Sequence, residues 1–439
     1  MMRINMAIDY GSFANATSLN LVARKLFFEF GKLMNSTKDF TIAATLLADN
    51  ALGDVNQHYD CLNVPNMGGY RFPLDSVLNS KNLVIGIVGI DEVVLGCQVY
   101  KTESDWKKNK PIIEKELKKW NKNIDQIKAI HVSSNSEKSQ LQEYLNVPDE
   151  KLFVIPYGVD HEKFKPPISK QETRDKILKK YLIPQKPYFI HVSESNWARK
   201  NVIRLFEAYK KAKSLGLNYN LLVVGKNDLI IHKKAKSITG IRMLGFVSED
   251  DLVELIQGSD GLVNPSLHEG FGLPMLESIS CGTPVITSNI FSPPEIIKDG
   301  GLFVDPYNIE EISKSMLELA NNKSLQDELS KNGLKRSNDF SWEITAQNLI
   351  KLFQTTSETD YDYDYDEYFE KSAKRTIITI CQLHPELKYY LNDIVQFDFS
   401  TFFEYIEEKK FSDPMIHDYL LPFEKWIKEN QNSTSLKVN

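Results

Sequence analysis

The chain has 439 residues, of which 42% are hydrophobic and 26% are charged, and its formal net charge is −6. This composition is that of a folded protein with two or three domains, at roughly 150 residues per domain, and it excludes a predominantly disordered chain. The acidic net charge argues against a nucleic-acid-binding protein that neutralises phosphates over a broad basic face.

Short β-rich segments alternate with helical patterns along the first part of the chain. The strands are predicted at residues 4–8, 82–88, 129–133 and 152–160. The helices are predicted at residues 18–30, 112–120 and 137–145. This alternation is typical of a parallel sheet covered by helices. The polar segment 161–176, which contains Pro166 and Pro167, is predicted to be a linker or a domain boundary.

The alternation restarts after this polar segment. Strands are predicted in YFIHVS, NLLVVGK, IRMLGFV, GLVNPS and PVITS. Helices are predicted at residues 202–215, 250–257 and 309–320, and a closing amphipathic helix at 340–354 has Ser341 as its N-cap. We therefore predict an α/β protein with domains at residues 1–165 and 166–357. Ligands of open α/β sheets bind beyond the carboxyl ends of the strands, so we expect the site in the cleft between the domains.

Residues 358–439 form a third region, predicted to be an acidic linker followed by a helical extension. Its first part, ETDYDYDYDEYFE, is repetitive, so its DxD spacings favour a flexible charged linker over a metal site. Phe402, Phe403 and Trp426 favour packing of the extension against the first domain.

Neither the cysteines nor the apolar segments indicate export or membrane insertion. The cysteines lie far apart without a CxxC pair, so we expect reduced, buried thiols at Cys61, Cys97, Cys281 and Cys381. The first residues lack the layout of a signal peptide, and no apolar run reaches the roughly 20 residues of a membrane span. We expect a cytoplasmic protein, with peripheral contact at the inner membrane face left open.

Two glutamates, Glu269 and Glu277, surround a Gly-Phe-Gly turn in the stretch HEGFGLPMLESISCGTPV. Pro274 suits the start of a helix, and Gly282 suits the position just past its end. Exposed N–H groups at such a helix start bind phosphate or another anion. The spacing of the two carboxylates does not return to the same helix face, so they need not converge on one atom. Two sites on one ligand are therefore favoured over an acid/base pair.

The longer segment NPSLHEGFGLPMLESISCGTPVITSN resembles the retaining glycosyltransferases of family 4, the glycosyl transferases group 1. WARKNVIRLFEAYKKA, LLVVGK and LGFVSEDDLVELIQGSDGLVNPS follow the same family order. The similarity extends over about residues 1–355 and is strongest from Tyr188 onward. It implies the GT-B fold, with two Rossmann-like parallel-sheet domains facing an interdomain cleft, followed here by the C-terminal helical extension. It also implies a nucleotide diphosphate sugar as the donor, with no metal and no other cofactor.

The resemblance implies a role for each residue of the glutamate segment. Glu277 is the counterpart of the second glutamate of the family's EX7E motif, which implies binding of the nucleotide ribose hydroxyls. Glu269 is the counterpart of the first, which implies a place beside the transferred sugar. Backbone N–H groups that meet sugar hydroxyls and the diphosphate are implied at Gly270, Phe271, Gly272 and Leu273.

Three further residues of the second domain complete the implied donor site. Arg199 and Lys200, in ARKN, are the counterparts of the basic pair that neutralises the diphosphate. The backbone at Val247 is implied to contact the base. Departure of a nucleoside diphosphate builds negative charge on phosphate, and cations near a helix start are suited to stabilise that charge.

The first domain departs from the family pattern in two places. The acceptor-side loop after the first strand, DYGSFANATS, contains only Gly11 where the family often has several glycines. The segment GIDE offers Asp91 and Glu92 where the family often has a histidine. Either carboxylate could orient the acceptor or take its proton. The alternative is a strand-end loop with solvated acids.

The sequence thus predicts a metal-independent, retaining glycosyltransferase. It would move a hexose, with mannose and glucose as the candidates, from a UDP- or GDP-linked donor to the hydroxyl of a glycan or lipid-linked acceptor. The expected setting is the synthesis of a glycan, a cell-surface polysaccharide or a glycolipid. Two alternatives stay open. One is a nucleotide-sugar epimerase or a phosphorolytic enzyme of the same fold, and the other is a non-catalytic nucleotide- or glycan-binding partner of another transferase. The oligomeric state is left open.

Overall fold

A computed structural model of the chain describes residues 2–9, 40–47, 61–68, 82–193, 197–226 and 228–356, together with six helical positions between residues 22 and 33. Gly11 and the predicted extension at residues 358–439 lie outside the described residues. No helix in these ranges is long and apolar enough to cross a membrane.

Six parallel strands form the sheet of the first domain, in the order β2-β1-β3-β4-β5-β6. They are β1 (Met2–Asp9), β2 (Phe40–Leu47), β3 (Cys61–Gly68), β4 (Leu83–Val88), β5 (Ile127–Val132) and β6 (Leu152–Val154). In β1, Met2 pairs with Phe40 of β2 and Met6 pairs with Cys61 of β3. β2 and β3 were missing from the predicted elements. The almost entirely buried run LVIGIV of β4 is typical of a parallel strand with both faces covered.

Three α-helices of the first domain follow β4 and β5. They are α1 (Asp91–Val94), α2 (Glu103–Asn123) and α3 (Asn135–Leu145). Short 3₁₀ turns lie at Gly96–Val99, Ile124–Gln126 and Asp149–Lys151. α2 begins earlier than predicted because the Thr102 side chain accepts a hydrogen bond from the Asp105 backbone N–H at 3.1 Å. The expectation of a buried thiol is wrong for Cys97, which is exposed on its 3₁₀ turn, whereas Cys281 is buried.

The second domain also has a six-stranded parallel sheet, in the order β12-β11-β10-β7-β8-β9. The strands are β7 (Tyr188–Val192), β8 (Asn220–Val224), β9 (Ile241–Gly245), β10 (Gly261–Asn264), β11 (Val285–Ser288) and β12 (Gly301–Val304). The prediction of two parallel-sheet domains is therefore confirmed. The strand order reverses between β7 and β10, and ligands bind at such a switch point in open α/β sheets.

Helices cover both faces of this second sheet. They are α4 (Lys170–Lys180), α5 (Val202–Ser214), α6 (Leu229–Lys236), α7 (Glu249–Gly258), α8 (Leu273–Ser280), α9 (Pro293–Ile297), α10 (Ile309–Asn321) and α11 (Lys323–Ser337), with a 3₁₀ turn at Lys298–Gly300. α4 corrects the second part of the predicted linker or domain boundary at 161–176, because residues 170–176 are helical. Ile177 and Leu178 of α4 are fully buried, and Tyr181 donates a 2.7 Å hydrogen bond to Asp251 of α7. This packing orders a segment whose polar composition resembles a linker.

The final described helix, α12 (Trp342–Thr356), returns to the first domain. Ser341 accepts a 3.1 Å hydrogen bond from the Ile344 backbone N–H, which confirms the predicted N-cap. The Thr345 hydroxyl donates to the Pro156 carbonyl at 2.8 Å, and the Phe353 ring lies 6.2 Å from that of Phe30. The two domains are therefore packed together by α12 as well as joined by the chain.

Candidate active site

The candidate site lies where the loops after β7 and β10 approach each other, at the switch point of the second sheet. Arg199 and Lys200 follow β7, and Glu269 follows β10. The Leu267 backbone N–H donates to the Arg199 carbonyl at 2.8 Å, which holds the two loops side by side. The carboxyl ends of two neighbouring parallel strands thus place cations and a carboxylate in one location.

A buried ionic cluster forms between these loops. Glu269 Oε1 lies 2.6 Å from Lys200 Nζ, and Glu269 Oε2 lies 3.3 Å from Arg199 Nη1. The same carboxylate accepts hydrogen bonds from the Ser266 hydroxyl at 2.6 Å and the Asn264 amide at 3.2 Å. Lys200 and Glu269 are each only 6% exposed. We refer to Arg199, Lys200 and Glu269 as the ionic cluster.

The ionic cluster keeps Glu269 charged. Burial alone would raise the pKa of the Glu269 carboxyl, but the charges of Lys200 and Arg199 and the hydrogen bonds lower that pKa far below its ordinary value. An ionised carboxylate only accepts hydrogen bonds. Glu269 is therefore suited to orient hydroxyl groups or balance positive charge, and not to donate a proton at neutral pH.

The first domain contributes Asp91 to this cluster. Asp91 begins α1 directly after β4, and its Oδ2 lies 3.5 Å from Arg199 Nε. Arg199 therefore contacts carboxylates of both domains. Glu92, the next residue of α1, is partly buried. Its ion pair with Arg199 thus brings Asp91 of the predicted GIDE segment to the cluster.

Glu277 lies in different electrostatic surroundings. It sits in the second turn of α8 and is 9% exposed. The pKa of Glu277 is raised to about 7, because burial and, to a smaller extent, the charge of Glu249 raise it more than the charge of Lys25 in the first domain lowers it. The group is thus half ionised near neutral pH, so a ligand that donates hydrogen bonds to it would draw it into the charged form.

The loop between the two glutamates has a fixed backbone. Gly272 adopts φ +97°, a left-handed conformation that favours glycine, and α8 begins at the next residue, Leu273. The Ser292 hydroxyl donates to the carbonyls of Glu269 and Phe271 at 2.9 and 3.2 Å. The Phe271 ring packs 5.3 Å from Tyr157, so its side chain supports the loop while its backbone remains at the site. Such a loop at a helix start suits an anion.

The domains also meet at Gly270, a contact that the sequence does not predict. The Ser134 hydroxyl, at the start of α3, donates to the Gly270 carbonyl at 2.8 Å. The buried Glu137 accepts hydrogen bonds from the Gly89 N–H at 2.8 Å and from the Ser133 hydroxyl at 2.6 Å. A Cβ on Gly270 would lie 2.0 Å from Glu137 Oε1. The Ser-x-x-Glu spacing marks the start of α3, but it does not indicate that α3 meets the other domain.

A second missed contact involves His268, the residue before Glu269. Its Nε2 lies 2.8 Å from Gln140 Oε1 of α3. Burial lowers the pKa of His268 to about 4, so at neutral pH the ring is uncharged and donates this hydrogen bond. Nearby, Glu295 accepts hydrogen bonds from the Asn135 and Ser136 N–H groups at 3.0 and 3.2 Å. The position of His268 directly before Glu269 is a sequence signal that the histidine lies near the site. Nothing in the sequence indicates that Gln140 is its partner.

Val247 lies apart from the ionic cluster, after β9 at the edge of the sheet. Its side chain is buried, whereas that of Phe246 is 83% exposed. The Gly225 N–H donates to the Gly245 carbonyl at 2.7 Å, which aligns the ends of β8 and β9. The backbone at Val247 therefore lies at the same carboxyl end of the sheet as the cluster.

No metal-ligating group appears in the described part of the chain. Within those ranges, no set of three or more His, Cys, Asp or Glu side chains is placed to hold a metal ion. Metal independence itself stays a prediction.

Comparisons with known proteins show which families and folds the chain is similar to. Residues 173–336 match the family described as glycosyl transferases group 1. The chain is 29% identical over 244 residues to O-antigen chain mannosyltransferase B of Escherichia coli, and this match covers 54% of the chain and 63% of that relative. The chain thus spans less than two thirds of this relative's length.

Two solved structures have the same architecture. HepE of Anabaena, in complex with UDP and glucose, matches with a TM-score of 0.61 and 12% identity over 80% of this chain and 100% of that one. Sucrose-phosphate synthase of Thermosynechococcus elongatus matches with a TM-score of 0.60 and 16% identity over 80% of this chain and 99% of that one. The protein therefore has the GT-B fold, and its second domain matches the glycosyl transferases group 1.

Proposed function

We propose that the protein is a retaining glycosyltransferase of family 4 that transfers a hexose from a UDP- or GDP-linked donor to the hydroxyl of a glycan or lipid-linked acceptor. The match to a mannosyltransferase that acts on an O-antigen chain supports mannose as the sugar and polysaccharide synthesis as the setting. The HepE complex with UDP and glucose supports a nucleotide-linked donor.

The ionic cluster is the observation that carries this proposal. Lys200 and Arg199 lie at the switch point, where the diphosphate of a nucleotide sugar binds in this kind of sheet. Their charges are balanced by Glu269, at 2.6 and 3.3 Å. The oxygens of a bound diphosphate would accept hydrogen bonds from the same Lys200 and Arg199 side chains. As the bond to the sugar breaks, the same cations stabilise the charge that builds on the leaving phosphate.

The roles of the carboxylates follow from their surroundings. Glu269 is ionised and would accept hydrogen bonds from hydroxyls of the transferred sugar. Asp91 approaches Arg199 from the first domain, so we assign it to orienting the acceptor hydroxyl, with the neighbouring Glu92 as the second candidate. The bond from the anomeric carbon to the leaving phosphate breaks as the bond to the acceptor oxygen forms on the same face. The acceptor proton passes to the leaving phosphate.

The role of Glu277 is to bind the ribose. Its pKa of about 7 reflects burial without sufficient compensating positive charge. Ribose hydroxyls that donate to the carboxylate would favour its ionised form. Nucleotide affinity should therefore rise as the pH increases through about 7.

A thermal-shift screen with UDP-glucose, GDP-mannose and ADP-glucose tests the proposal. At a ligand concentration of 100 Kd, binding adds about 2.7 kcal/mol to the stability of the wild type. Glu277→Ala should lose most of this stabilisation. The matched control is Glu328→Ala, which removes an exposed helical glutamate of α11 and should respond as the wild type does. If no nucleotide sugar stabilises the wild type, or if Glu277→Ala responds fully, the proposed donor site is wrong.

Product analysis separates the remaining alternatives. Release of a free or epimerised sugar without an acceptor, or a strict requirement for inorganic phosphate, would indicate an epimerase or a phosphorolytic enzyme. Nucleotide binding without transfer or donor hydrolysis would indicate a non-catalytic binding partner. Transfer with retention of the anomeric configuration supports the proposal.

A further inference from the structure

A cavity of about 210 Å³ lies between the two domains, beside the ionic cluster. The first domain contributes Gln98 and Tyr100 to its wall, and the second contributes Trp197, Arg204 and Leu267. At ~30 Å³ per water molecule the cavity has room for about seven waters, which is the scale of one pyranose ring and not of an oligosaccharide.

The cavity is formed where the domains meet. At one side, the Tyr307 hydroxyl donates to Gln98 Oε1 at 2.9 Å. Directly after Tyr100, Lys101 Nζ forms a 2.5 Å ion pair with Asp228 Oδ2 of the second domain. Both contacts join residues of different domains, so the cavity exists in this closed arrangement and would come apart on opening.

The lining combines aromatic, apolar and hydrogen-bonding groups. Tyr100 and Trp197 supply ring surfaces, and Leu267 belongs to an apolar cluster with Leu95 and Val99. Arg204 supplies a guanidinium group with five N–H donors. A pocket that combines apolar surface with polar groups in fixed positions is suited to a small ligand whose orientation matters. The two aromatic rings can pack against the apolar face of a sugar, and the guanidinium N–H groups can donate hydrogen bonds to its hydroxyls.

The guanidinium of Arg204 is held in place before any ligand binds. Its Nη1 donates to Asn201 Oδ1 at 3.0 Å, and its Cζ lies 5.1 Å from the centroid of the Tyr307 ring. Asn201 in turn donates to the carbonyls of Pro265 and Pro306 at 2.9 and 2.6 Å. Little side-chain freedom would therefore be lost when Arg204 contacts a ligand.

The location of the cavity separates it from the donor. In the part of the chain that the structure describes, the cavity is lined by none of the residues predicted to bind the donor. Arg204 lies on α5 and Trp197 just before it, whereas Glu277 lies on α8 and Val247 follows β9. Both domains form its wall, and the acceptor must likewise lie between the donor-binding domain and the first domain.

We propose that this cavity binds one neutral monosaccharide unit of the acceptor glycan. The proposal rests on the proposed function, because it assigns the second substrate of the same reaction. Tyr100 and Trp197 pack against the ring of the sugar, and Arg204 donates hydrogen bonds to its hydroxyls. Because Leu267 lies two residues before Glu269, the bound unit sits close to the ionic cluster.

Saturation-transfer NMR on the full chain tests the cavity with three probes, methyl α-D-mannopyranoside, methyl α-D-glucopyranoside and methyl N-acetyl-β-D-glucosaminide. At least one should give a signal with the wild type. Arg204→Ala and Tyr100→Leu should weaken that signal at least fivefold, whereas Tyr100→Phe should retain it. The matched control is Arg242→Ala, which removes an exposed arginine of β9. Thermal unfolding of each variant identifies any that fail to fold.

Three outcomes would overturn the acceptor subsite. They are no signal from any probe with the wild type, equal signals from Arg204→Ala and Arg242→Ala, and displacement of the probe by UDP or GDP. Glu277→Ala should keep the probe signal while losing stabilisation by nucleotide. If the wild type gives no probe signal but is still stabilised by nucleotide, the acceptor subsite is wrong and the donor site stands. If nucleotide does not stabilise the wild type, the donor site is wrong.

Discussion

Glu277 is expected to make the stability of the protein depend on pH near neutrality. Burial raises the pKa of its carboxyl from 4.5 to about 7 in the folded protein, and Glu249 adds repulsion. Between these two pH values the folded protein keeps a proton that the unfolded chain has lost. Protonation therefore favours the folded state, and this contribution is lost as the pH rises through about 7.

The informative substitution is Glu277→Gln, because its side chain has nearly the same shape and is neutral at every pH. A pKa displaced from 4.5 to about 7 corresponds to about 3 kcal/mol in total. Most of this, about 2 to 3 kcal/mol, falls between pH 5 and pH 8. Over that interval the variant should become more stable relative to the wild type by this amount.

Urea unfolding at pH 5, 6, 7 and 8, followed by tryptophan fluorescence, measures the difference between the two proteins. Glu328→Gln serves as the control, since Glu328 is exposed. It should differ from the wild type by a constant amount at all four pH values. A difference between Glu277→Gln and the wild type that is also constant would refute the idea that Glu277 is buried without adequate compensation.

Two further substitutions probe the ionic cluster and the contact between domains. Lys200→Met leaves Glu269 with Arg199 at 3.3 Å and should cost up to about 3 kcal/mol in urea unfolding. Adding Glu269→Gln should recover much of that loss, and a Lys200→Met protein as stable as the wild type would contradict the expectation. Gly270→Ala places a Cβ 2.0 Å from Glu137 Oε1, so the Glu137 side chain must move from its hydrogen bonds with Gly89 and Ser133, and the midpoint of urea unfolding should fall. Gly270→Ala should cost less stability in a Glu137→Ala chain than in the wild type, and a Gly270→Ala protein as stable as the wild type would count against the clash.

In the glutamate segment, local sequence patterns correctly predict where the helix begins and ends. A helix start near Pro274 and a helix end before Gly282 were both predictable, because caps and turns depend on a few adjacent residues. The structure confirms them, with α8 at Leu273–Ser280 and φ +72° at Gly282. Five strands of the second domain, β7 to β11, were also predictable, since buried apolar runs bounded by turns are local patterns, whereas β12 was missing from the predicted elements.

Elements that depend on packing were predicted less well. The polar segment around α4 looked like a linker, but Ile177 and Leu178 are buried against the rest of the second domain. α2 extends well beyond its apolar core because Thr102 provides an earlier cap. In both places the tertiary contacts or a single cap outweighed the average composition.

The sequence by itself determined the alternation of strands and helices, the caps of the helices around the site, and the chemical character of the residues offered there. These are local properties of short segments. Only the tertiary structure decided that Lys200 and Glu269, 69 positions apart, form one ion pair, and that Asp91 reaches Arg199. It also decided that Gln140 meets His268. Such contacts depend on how distant segments pack, because side chains with the same local pattern can face a core, a solvent surface or another domain.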